Sequence, residues 1–279
     1  FIDITPINDA PIITVPGAQT TNEDTAKAIT GISIADIDVN ETPPPNNIVS
    51  VTLSVSHGTL NVTGSANITN NDTPNVTVTG NLADVNNSLA NLLYTPENNY
   101  NGNDTLTVLG NDLGHTGATG ALTDTKAIDI NVSGTNDRPT NPLNTNLPNI
   151  AEDIASALNT GKMVSDIAAD SASSDSDSPS LGIAITDATN PNGIWQFSTD
   201  NGANWNPIDP VSDANALLLG PNDKVRFVPN PDFAGNDQTL NFKIWDMSSG
   251  MAGTKESTNS AAFSIDNANA FVDIDPIND

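Results

Sequence analysis

A nine-residue phrase that occurs three times is the feature that most constrains the fold of this chain. It reads FIDITPIND at 1–9, DINVSGTND at 129–137 and FVDIDPIND at 271–279. The closing aspartates are separated by 128 and 142 residues (137 − 9 and 279 − 137). Repetition at a fixed period is typical of tandem structural units, and both spacings are ordinary domain lengths. We therefore predict two domains, 10–136 and 137–272, with linkers at 1–9 and 273–279.

Further landmarks recur in the same order inside both predicted domains. NEDT at 22–25 corresponds to AEDI at 151–154, and ADID at 35–38 corresponds to SDSD at 174–177. A longer pair matches YTPENNYNGNDTLTVLGND at 94–112 with FVPNPDFAGNDQTLNFKIWD at 227–246. Shared order at this level predicts that the two domains have one fold.

Short segments with alternating apolar and polar residues predict β-strands. They include IVSVTLSV at 48–55, NVTVTG at 75–80, TLTVL at 105–109, KAIDINVS at 126–133, KVRFVP at 224–229 and LNFKIWD at 240–246. Gly, Asn, Asp and Pro separate them every ~8–12 residues, which is the spacing of a β-sandwich. The expected class is all-β, with two tandem antiparallel Greek-key sandwiches. The apolar spacing of 82–93 favours a short helical crossover, while 151–169 fits helix or strand equally well.

The charge balance restricts the possible partners. The chain carries 34 acidic and 8 basic residues, for a formal net charge of −26. Nucleic acids and anionic membranes bind largely through Lys and Arg, so neither is an expected partner, and no apolar run predicts insertion in a membrane. The chain has no cysteine, which excludes disulfides as the staple of an exported domain. A metal is the alternative staple.

The positions of the aspartates indicate which metal. In each D-x-D pair, at 36–38 and 175–177, the alternation of an extended chain places both carboxylates on one side. Two carboxylates ~4–5 Å apart repel by ~3–4 kcal/mol at an effective dielectric near 20. Calcium, which takes ~6–8 oxygen ligands, removes that cost. The simpler interpretation is that each Asp or Asn only caps its own turn, but recurrence at matched positions favours a metal.

With these residues in view, the chain resembles the bacterial cadherin-like repeats of very long secreted adhesins of the RTX and biofilm type. The most specific elements are the N-D-x-P linkers at 8–11 and 136–139 and the phrase NYNGND at 99–104. The resemblance implies Ig-like sandwiches with calcium at the domain junctions. It departs from the animal cadherin pattern, because the linker motif is incomplete and the D-R-E motif is missing.

Carried over position by position, the resemblance implies three sets of calcium ligands. Two of them are half-sites, completed by neighbouring repeats of the same protein. The central set is Glu23, Asn136, Asp137, Asp175, Asp177 and Asp246, with Asp104 as a weaker member. The N-terminal set is Asn8, Asp9, Asp36, Asp38 and Asp112, and the C-terminal set is Glu152, Asp273, Asp275, Asn278 and Asp279.

Catalytic interpretations are weaker than this one. The segment FSTDNGANW at 197–205 resembles a single Asp-box hairpin of sialidase-type propellers, in which the aspartate and tryptophan are usually structural. The two histidines, His57 and His115, lie in glycine-flanked turns without partners for a catalytic triad or a zinc site. We expect no enzyme activity.

Trp245 is the candidate for contact with a ligand. It has the opposite parity to Leu240, Phe242 and Ile244 on its predicted strand, and an outward tryptophan can stack on a sugar ring; more often such a residue is covered by a loop. The leading hypothesis is an extracellular adhesin stalk rigidified by calcium. The alternatives are a module in the second domain that binds a host glycan or protein, and an accessory region of a secreted enzyme.

Overall fold

The computed structural model describes residues 7–40, 47–114 and 120–278. The chain divides into two compact units, Phe1–Thr135 and Asn136–Asp279. This division falls one residue before the predicted boundary between 136 and 137. Strands make up most of the regular structure in both units.

Unit 1 contains eleven strands among its described residues. A six-stranded sheet has the order β2-β11-β10-β5-β8-β7, a three-stranded sheet has the order β3-β9-β6, and β1 pairs with β4. Among the described strands of this unit, β2 and β11 are the one pair that runs parallel. The strands are β1 (Ile12–Thr14), β2 (Gln19–Asn22), β3 (Lys27–Ile29), β4 (Ser33–Ala35), β5 (Ile48–Ser54), β6 (Gly58–Val62), β7 (Asn67–Thr69), β8 (Asn75–Asn81), β9 (Leu92–Pro96), β10 (Gly102–Asn111) and β11 (Thr123–Ser133).

The core of unit 1 lies between its sheets and is mainly aliphatic, with Tyr94 as its buried aromatic residue. Alternate residues of β5, including Val49, Val51 and Leu53, are fully buried, as expected for a strand with one face against a core. The sheet order β11-β10-β5-β8 does not follow the chain, which is the Greek-key arrangement predicted from the sequence. A short 3-10 helix, Asp38–Asn40, follows β4.

A helix, α1 (Leu82–Leu89), crosses from β8 to β9, where the apolar spacing of 82–93 predicted it. Asn81 caps its start by accepting a hydrogen bond from the Asp84 backbone N–H at 2.9 Å. The Asn86 side chain binds both backbone groups of Ile34, at 2.8 and 2.9 Å. Helix α1 thereby holds β4 two residues before Asp36.

Unit 2 contains a seven-stranded sheet with the path β12-β22-β20-β15-β18-β21, in which β13 also pairs with β22. A four-stranded sheet has the order β14-β19-β16-β17. The strands are β12 (Thr145–Asn146), β13 (Ile150–Ala151), β14 (Lys162–Met163), β15 (Gly182–Asp187), β16 (Gly193–Ser198), β17 (Asn206–Pro207), β18 (Ala216–Leu219), β19 (Lys224–Pro229), β20 (Gly235–Trp245), β21 (Lys255–Glu256) and β22 (Ala268–Asp275).

The main core of unit 2 packs Trp195 and Phe227 of the smaller sheet against Leu240 and Phe242 of the larger one. A second buried cluster lies on the other face of the larger sheet, around Trp245 and Phe263. The ambiguous segment 151–169 contains strand at both β13 and β14 and then a helix, α2 (Val164–Asp170). Its helical turn buries Val164 and Ile167.

The two units share one topology. The strand path β11-β10-β5-β8 corresponds to β22-β20-β15-β18, and β3-β9-β6 corresponds to β14-β19-β16. In both units the early strand beside the last one is parallel to it. The predicted all-β class is confirmed. Strand β22 continues to Asp275, so the segment predicted to be a linker from 273 begins inside a strand.

Candidate functional site

The first residues of unit 2 lie in a cluster of carboxylates, which we name entry cluster 2. The Asn136 amide donates to Asp246 Oδ2 at 2.8 Å, and the Asp137 backbone N–H donates to Asp177 Oδ2 at 2.6 Å. Asp175 Oδ1 caps its own turn by accepting from the backbone N–H groups of Asp177 and Ser178, both at 2.8 Å. The structure thus brings together the N-D phrase, the D-x-D pair and the aspartate that follows β20. Its members are Asn136, Asp137, Asp175, Asp177 and Asp246.

Unit 1 repeats this network, which we name entry cluster 1. The Asn8 amide donates to Asp112 Oδ2 at 2.6 Å, and the Asp9 backbone N–H donates to Asp38 Oδ2 at 2.6 Å. Asp36 Oδ1 accepts from the backbone N–H groups of Asp38 and Val39 at 2.9 and 3.1 Å. The members are Asn8, Asp9, Asp36, Asp38 and Asp112. Four hydrogen bonds therefore recur between equivalent atoms of the two units.

Each entry cluster also contains a buried oxygen without a hydrogen-bond donor among the described residues. These atoms are Oδ2 of Asp36 and Oδ2 of Asp175. Burial, followed by the charges of Asp246 and Asp177, raises the pKa of Asp175. A buried carboxylate oxygen without a donor loses its hydration and gains nothing in return. A cation would supply the missing interaction.

Neither entry cluster has the arrangement of a complete metal centre. Within the described residues, no group of three or more Asp, Glu or His side chains is arranged to hold an ion. The first aspartate of each D-x-D pair uses Oδ1 to cap backbone N–H groups, and its Oδ2 has no donor among the described residues. What each entry cluster presents is a set of carboxylate and amide oxygens in part committed to its own loop.

Glu23 and Glu152 hold the opposite end of their units, and we call them the exit glutamates. Glu23 is 1% exposed and Glu152 is 7% exposed. The Thr135 backbone N–H donates to Glu23 Oε1, and the Ile277 backbone N–H donates to Glu152 Oε1 at 2.8 Å. Oε2 of Glu23 is buried without a donor among the described residues. Each glutamate therefore ties down the chain just after the last strand of its own unit.

The other predicted C-terminal ligands do not form a hydrogen-bonded cluster like the two entry clusters. Asp273 and Asp275 lie on one face of β22, where Asp273 Oδ1 accepts from the Asp237 N–H and Asp275 Oδ1 from the Asn149 amide. Asp275 and Asn278 are exposed. Asp279 lies outside the described residues.

Asp104, the weaker candidate of the central set, takes part in hydrogen bonds inside unit 1. The residue is 4% exposed within β10, and its Oδ1 accepts from the backbone N–H groups of Ser56 and Thr105. Its Oδ2 accepts from the His57 N–H and lies 3.0 Å from the Tyr94 hydroxyl. Both oxygens are thus occupied. The residue anchors the turn between β5 and β6.

Trp245 has the predicted orientation but not the predicted exposure. It lies on the opposite face of β20 from Ile244, yet it is only 2% exposed. Phe263 and Leu218 pack around it, and its indole N–H donates to the Ser249 carbonyl at 2.7 Å. Loops after β20 and β21 cover this face, so the Trp245 ring offers no open surface for a sugar in this structure.

The Asp-box segment forms the hairpin between β16 and β17. Asp200 Oδ1 accepts from the Asn204 backbone N–H at 2.8 Å and from the Ser198 hydroxyl at 2.7 Å. The hydrogen bonds from Asn204 lower the pKa of Asp200 to about 2. These contacts describe an aspartate that shapes a turn. His57 stacks on Tyr100 at 4.1 Å and lies 3.6 Å from Glu97, while His115 lies outside the described residues.

Sequence reasoning missed one buried cation, Arg226, which is 7% exposed within β19. The signal was available in the alternation KVRFVP, since two of the few basic residues share one face of a predicted strand. No helix in the described ranges is long and apolar enough to cross a membrane.

No protein-family model and no curated protein matches the chain. Among solved structures, the chain is similar to protocadherin gamma B2 extracellular cadherin domains 1–5, with a TM-score of 0.48, 13% identity, and coverage of 98% of this chain and 41% of that one. It is also similar to human mucin-like protocadherin EC1–2 (TM-score 0.44, 12% identity, 96% and 98% coverage). A third is mouse cadherin-23 EC22–24 (TM-score 0.35, 12% identity, 98% and 68% coverage). At TM-scores below 0.5 these likenesses support no inference about function.

Proposed function

We propose that the chain is a non-catalytic extender segment of a bacterial cell-surface adhesin, rigidified by calcium and acting in cell adhesion or biofilm formation. The observation that carries the proposal is the duplicated entry cluster. The same four hydrogen bonds and the same donorless oxygen recur in two units, at Asp36 and at Asp175. Turn capping alone accounts for the Oδ1 atoms. It leaves the buried Oδ2 atoms without a partner.

Calcium fits this donor set because it prefers oxygen ligands and tolerates irregular geometry. Oδ2 of Asp36 and Oδ1 of Asn8 are the donorless atoms in entry cluster 1, and Oδ2 of Asp175 is the equivalent in entry cluster 2. The bound ion supplies positive charge to carboxylates that otherwise repel one another. Further oxygens from neighbouring repeats of the same protein complete the coordination.

The connection between the two units is stiffened because the exit glutamate of unit 1 and entry cluster 2 hold three consecutive residues of it. Thr135 is bound by the exit glutamate of unit 1, while the next two residues, Asn136 and Asp137, are bound by entry cluster 2. A short connection between domains is a hinge unless its residues are immobilised. Ions held by the exit glutamate and by the entry cluster immobilise all three. An array built this way projects its tip from the cell surface.

Two measurements on the whole chain test the proposal. The chain should unfold at a higher temperature in about 1 mM calcium than in the same concentration of magnesium, since ligand binding adds to folding stability. Small-angle scattering should show a narrower distribution of maximum dimension with calcium than with a chelator. The double substitution Asp137→Ala and Asp177→Ala should remove that difference while each unit stays folded.

Equal shifts with calcium and magnesium would refute a calcium site. An unchanged scattering distribution, together with a calcium-dependent melting temperature, would instead confine calcium to a role within the units and refute the extender mechanism.

A further inference from the structure

An open cleft in unit 2 has a composition that contrasts with the rest of the chain. It measures about 470 Å³ and lies between the segment 156–160 and the hairpin 201–205, beside β19. Its lining residues all belong to the described part of the chain, and none of them is acidic. Two of them, Lys224 and Arg226, are basic, although the whole chain has only 8 basic residues against 34 acids. The cleft is therefore a cationic site on an acidic protein.

Arg226 is a buried cation without a carboxylate partner among the described residues. Its Nε donates to Gln196 Oε1 at 2.9 Å, and its Nη1 donates to the carbonyls of Ser156 and Asn159 at 3.2 and 3.0 Å. Its Nη2 reaches only the Ser156 hydroxyl, at 3.4 Å. All four acceptors are neutral. Buried charges in proteins are normally paired with a counter-charge, so the site lacks an anion.

The Trp205 ring packs against the guanidinium of Arg226. Its Cζ lies 4.2 Å from the centroid of the Trp205 ring, within the range of a cation–π contact. Trp205 in turn lies against Gly161, where a Cβ atom would come within 2.6 Å of the indole Cη2. Absence of a side chain at Gly161 lets the indole approach β19. Arg226 is thus positioned by packing before any ligand arrives.

Lys224 supplies a second positive charge on the same face. It lies two residues before Arg226 in β19, so the two side chains point to one side of the strand while Val225 points into the core. Lys224 has no ion pair among the described residues, and Gly202 of the hairpin lies beside its side chain. Asp200 is part of the same hairpin, where its Oδ1 accepts from the Ser198 hydroxyl and the Asn204 backbone N–H, and its Oδ2 accepts from the Asn204 amide.

We propose that this cleft binds an acidic sugar, with the carboxylate or sulfate group placed between Arg226 and Lys224. The rest of the lining favours a sugar, because its amide and hydroxyl side chains both donate and accept hydrogen bonds, as sugar hydroxyl groups do. They are Ser156, Thr160 and Asn201. A charge-assisted bond from each base adds affinity and selects acidic sugars over neutral ones. The site is independent of calcium and is distinct from the covered Trp245.

Isothermal titration of the whole chain in low salt tests the proposal, after calcium has been removed with a chelator and the chelator has been dialysed away. Calcium then cannot bridge the sugar, and the anionic chelator cannot compete for the cleft. The ligands are glucuronate, glucose 6-sulfate, glucose, acetate, sulfate and a capped acidic dipeptide. We expect one or both acidic sugars to bind at least about tenfold more tightly than glucose, the free anions or the peptide. If glucose binds as tightly as the acidic sugars, the two basic residues do not select for negative charge, and the proposal is wrong. Equal or tighter binding of acetate, sulfate or the peptide refutes the assignment to a sugar.

The variants separate binding from folding. Lys224→Met should weaken binding of the acidic sugar about tenfold, since Lys224 makes no ion pair that folding would lose. Lys255→Met removes the same charge from the exposed strand β21 of the same unit and should leave binding unchanged. Arg226→Lys keeps the charge but loses Nη2 and should also weaken binding. If Lys224→Met binds the acidic sugar as tightly as the parent chain does, the proposal is wrong. As a control for folding, the Lys224→Met variant should show the same calcium-dependent melting temperature as the parent chain.

Discussion

Replacing Asp175 by Asn should stabilise the calcium-free protein and abolish the calcium response of unit 2. The side chain keeps Oδ1 for the N–H groups of Asp177 and Ser178, so the turn cap survives. The buried Oδ2, which has no donor among the described residues, becomes an amide that can donate to the neighbouring carboxylates. The substitution therefore removes an unfavourable charge and retains the local structure.

The magnitude follows from the cost of an unsatisfied buried group, which is ~1–3 kcal/mol. The lower end applies here, because the Asp175 residue as a whole is only half-buried. A gain of about 1 kcal/mol corresponds to a rise of roughly 3–5 °C in melting temperature for a unit of this size. In the parent chain, calcium at ~100 times its dissociation constant adds about 2.7 kcal/mol. The variant should lose most of that increment.

Tryptophan fluorescence reports this experiment selectively, because Trp195, Trp205 and Trp245 all belong to unit 2. Asp187→Asn is the matched control, since Asp187 also caps its own turn, through the Thr189 N–H at 2.8 Å, but lies outside the entry cluster. It should change neither the calcium-free melting temperature nor the calcium increment appreciably. The reasoning is wrong if Asp175→Asn destabilises the chelated protein, or if it melts with the full calcium increment.

Three further predictions concern Asp104, Trp245 and Asp200. Asp104→Asn should lower the free energy of unfolding of unit 1 by about 1–3 kcal/mol, since an amide donor would face other donors, with the calcium increment unchanged in a circular-dichroism melt. Trp245→Ala should lower the free energy of unfolding of unit 2 by ~3–5 kcal/mol, because it opens a cavity. It should leave the binding of acidic sugars unchanged in titration, and Trp245→Phe replaces it in that measurement if the alanine variant does not fold. The pKa of Asp200, lowered to about 2, means that its stabilisation is complete above its ordinary value near 4 and is lost as the pH falls through 2. Between pH ~4 and ~2, the free energy of unfolding should therefore fall less steeply with decreasing pH in Asp200→Asn than in the parent chain.

Much of the fold was accessible to sequence reasoning because its signals are local. Alternation in IVSVTLSV predicted β5. The apolar spacing of 82–93 predicted α1, but the helix ends at Leu89, and Leu92 begins β9. The ambiguity at 151–169 arose because short apolar segments carry no decisive period. Its outcome depends on what α2 packs against, since Val164 and Ile167 are buried in the core of unit 2.

The sequence by itself determined the duplication, the strand-rich class and the D-x-D pairs, while the family resemblance supplied the members of the entry clusters. Repeats and D-x-D spacing are properties of neighbouring residues along the chain, and they survive in any fold that keeps the repeat. Only the tertiary structure decided that Asp104 is saturated by donors from Ser56 and His57, that loops cover Trp245, and that Arg226 is a buried cation without a counter-charge among the described residues. These outcomes depend on which distant backbone groups and side chains converge on one atom. That convergence is set by sheet register and loop packing, which no local pattern encodes.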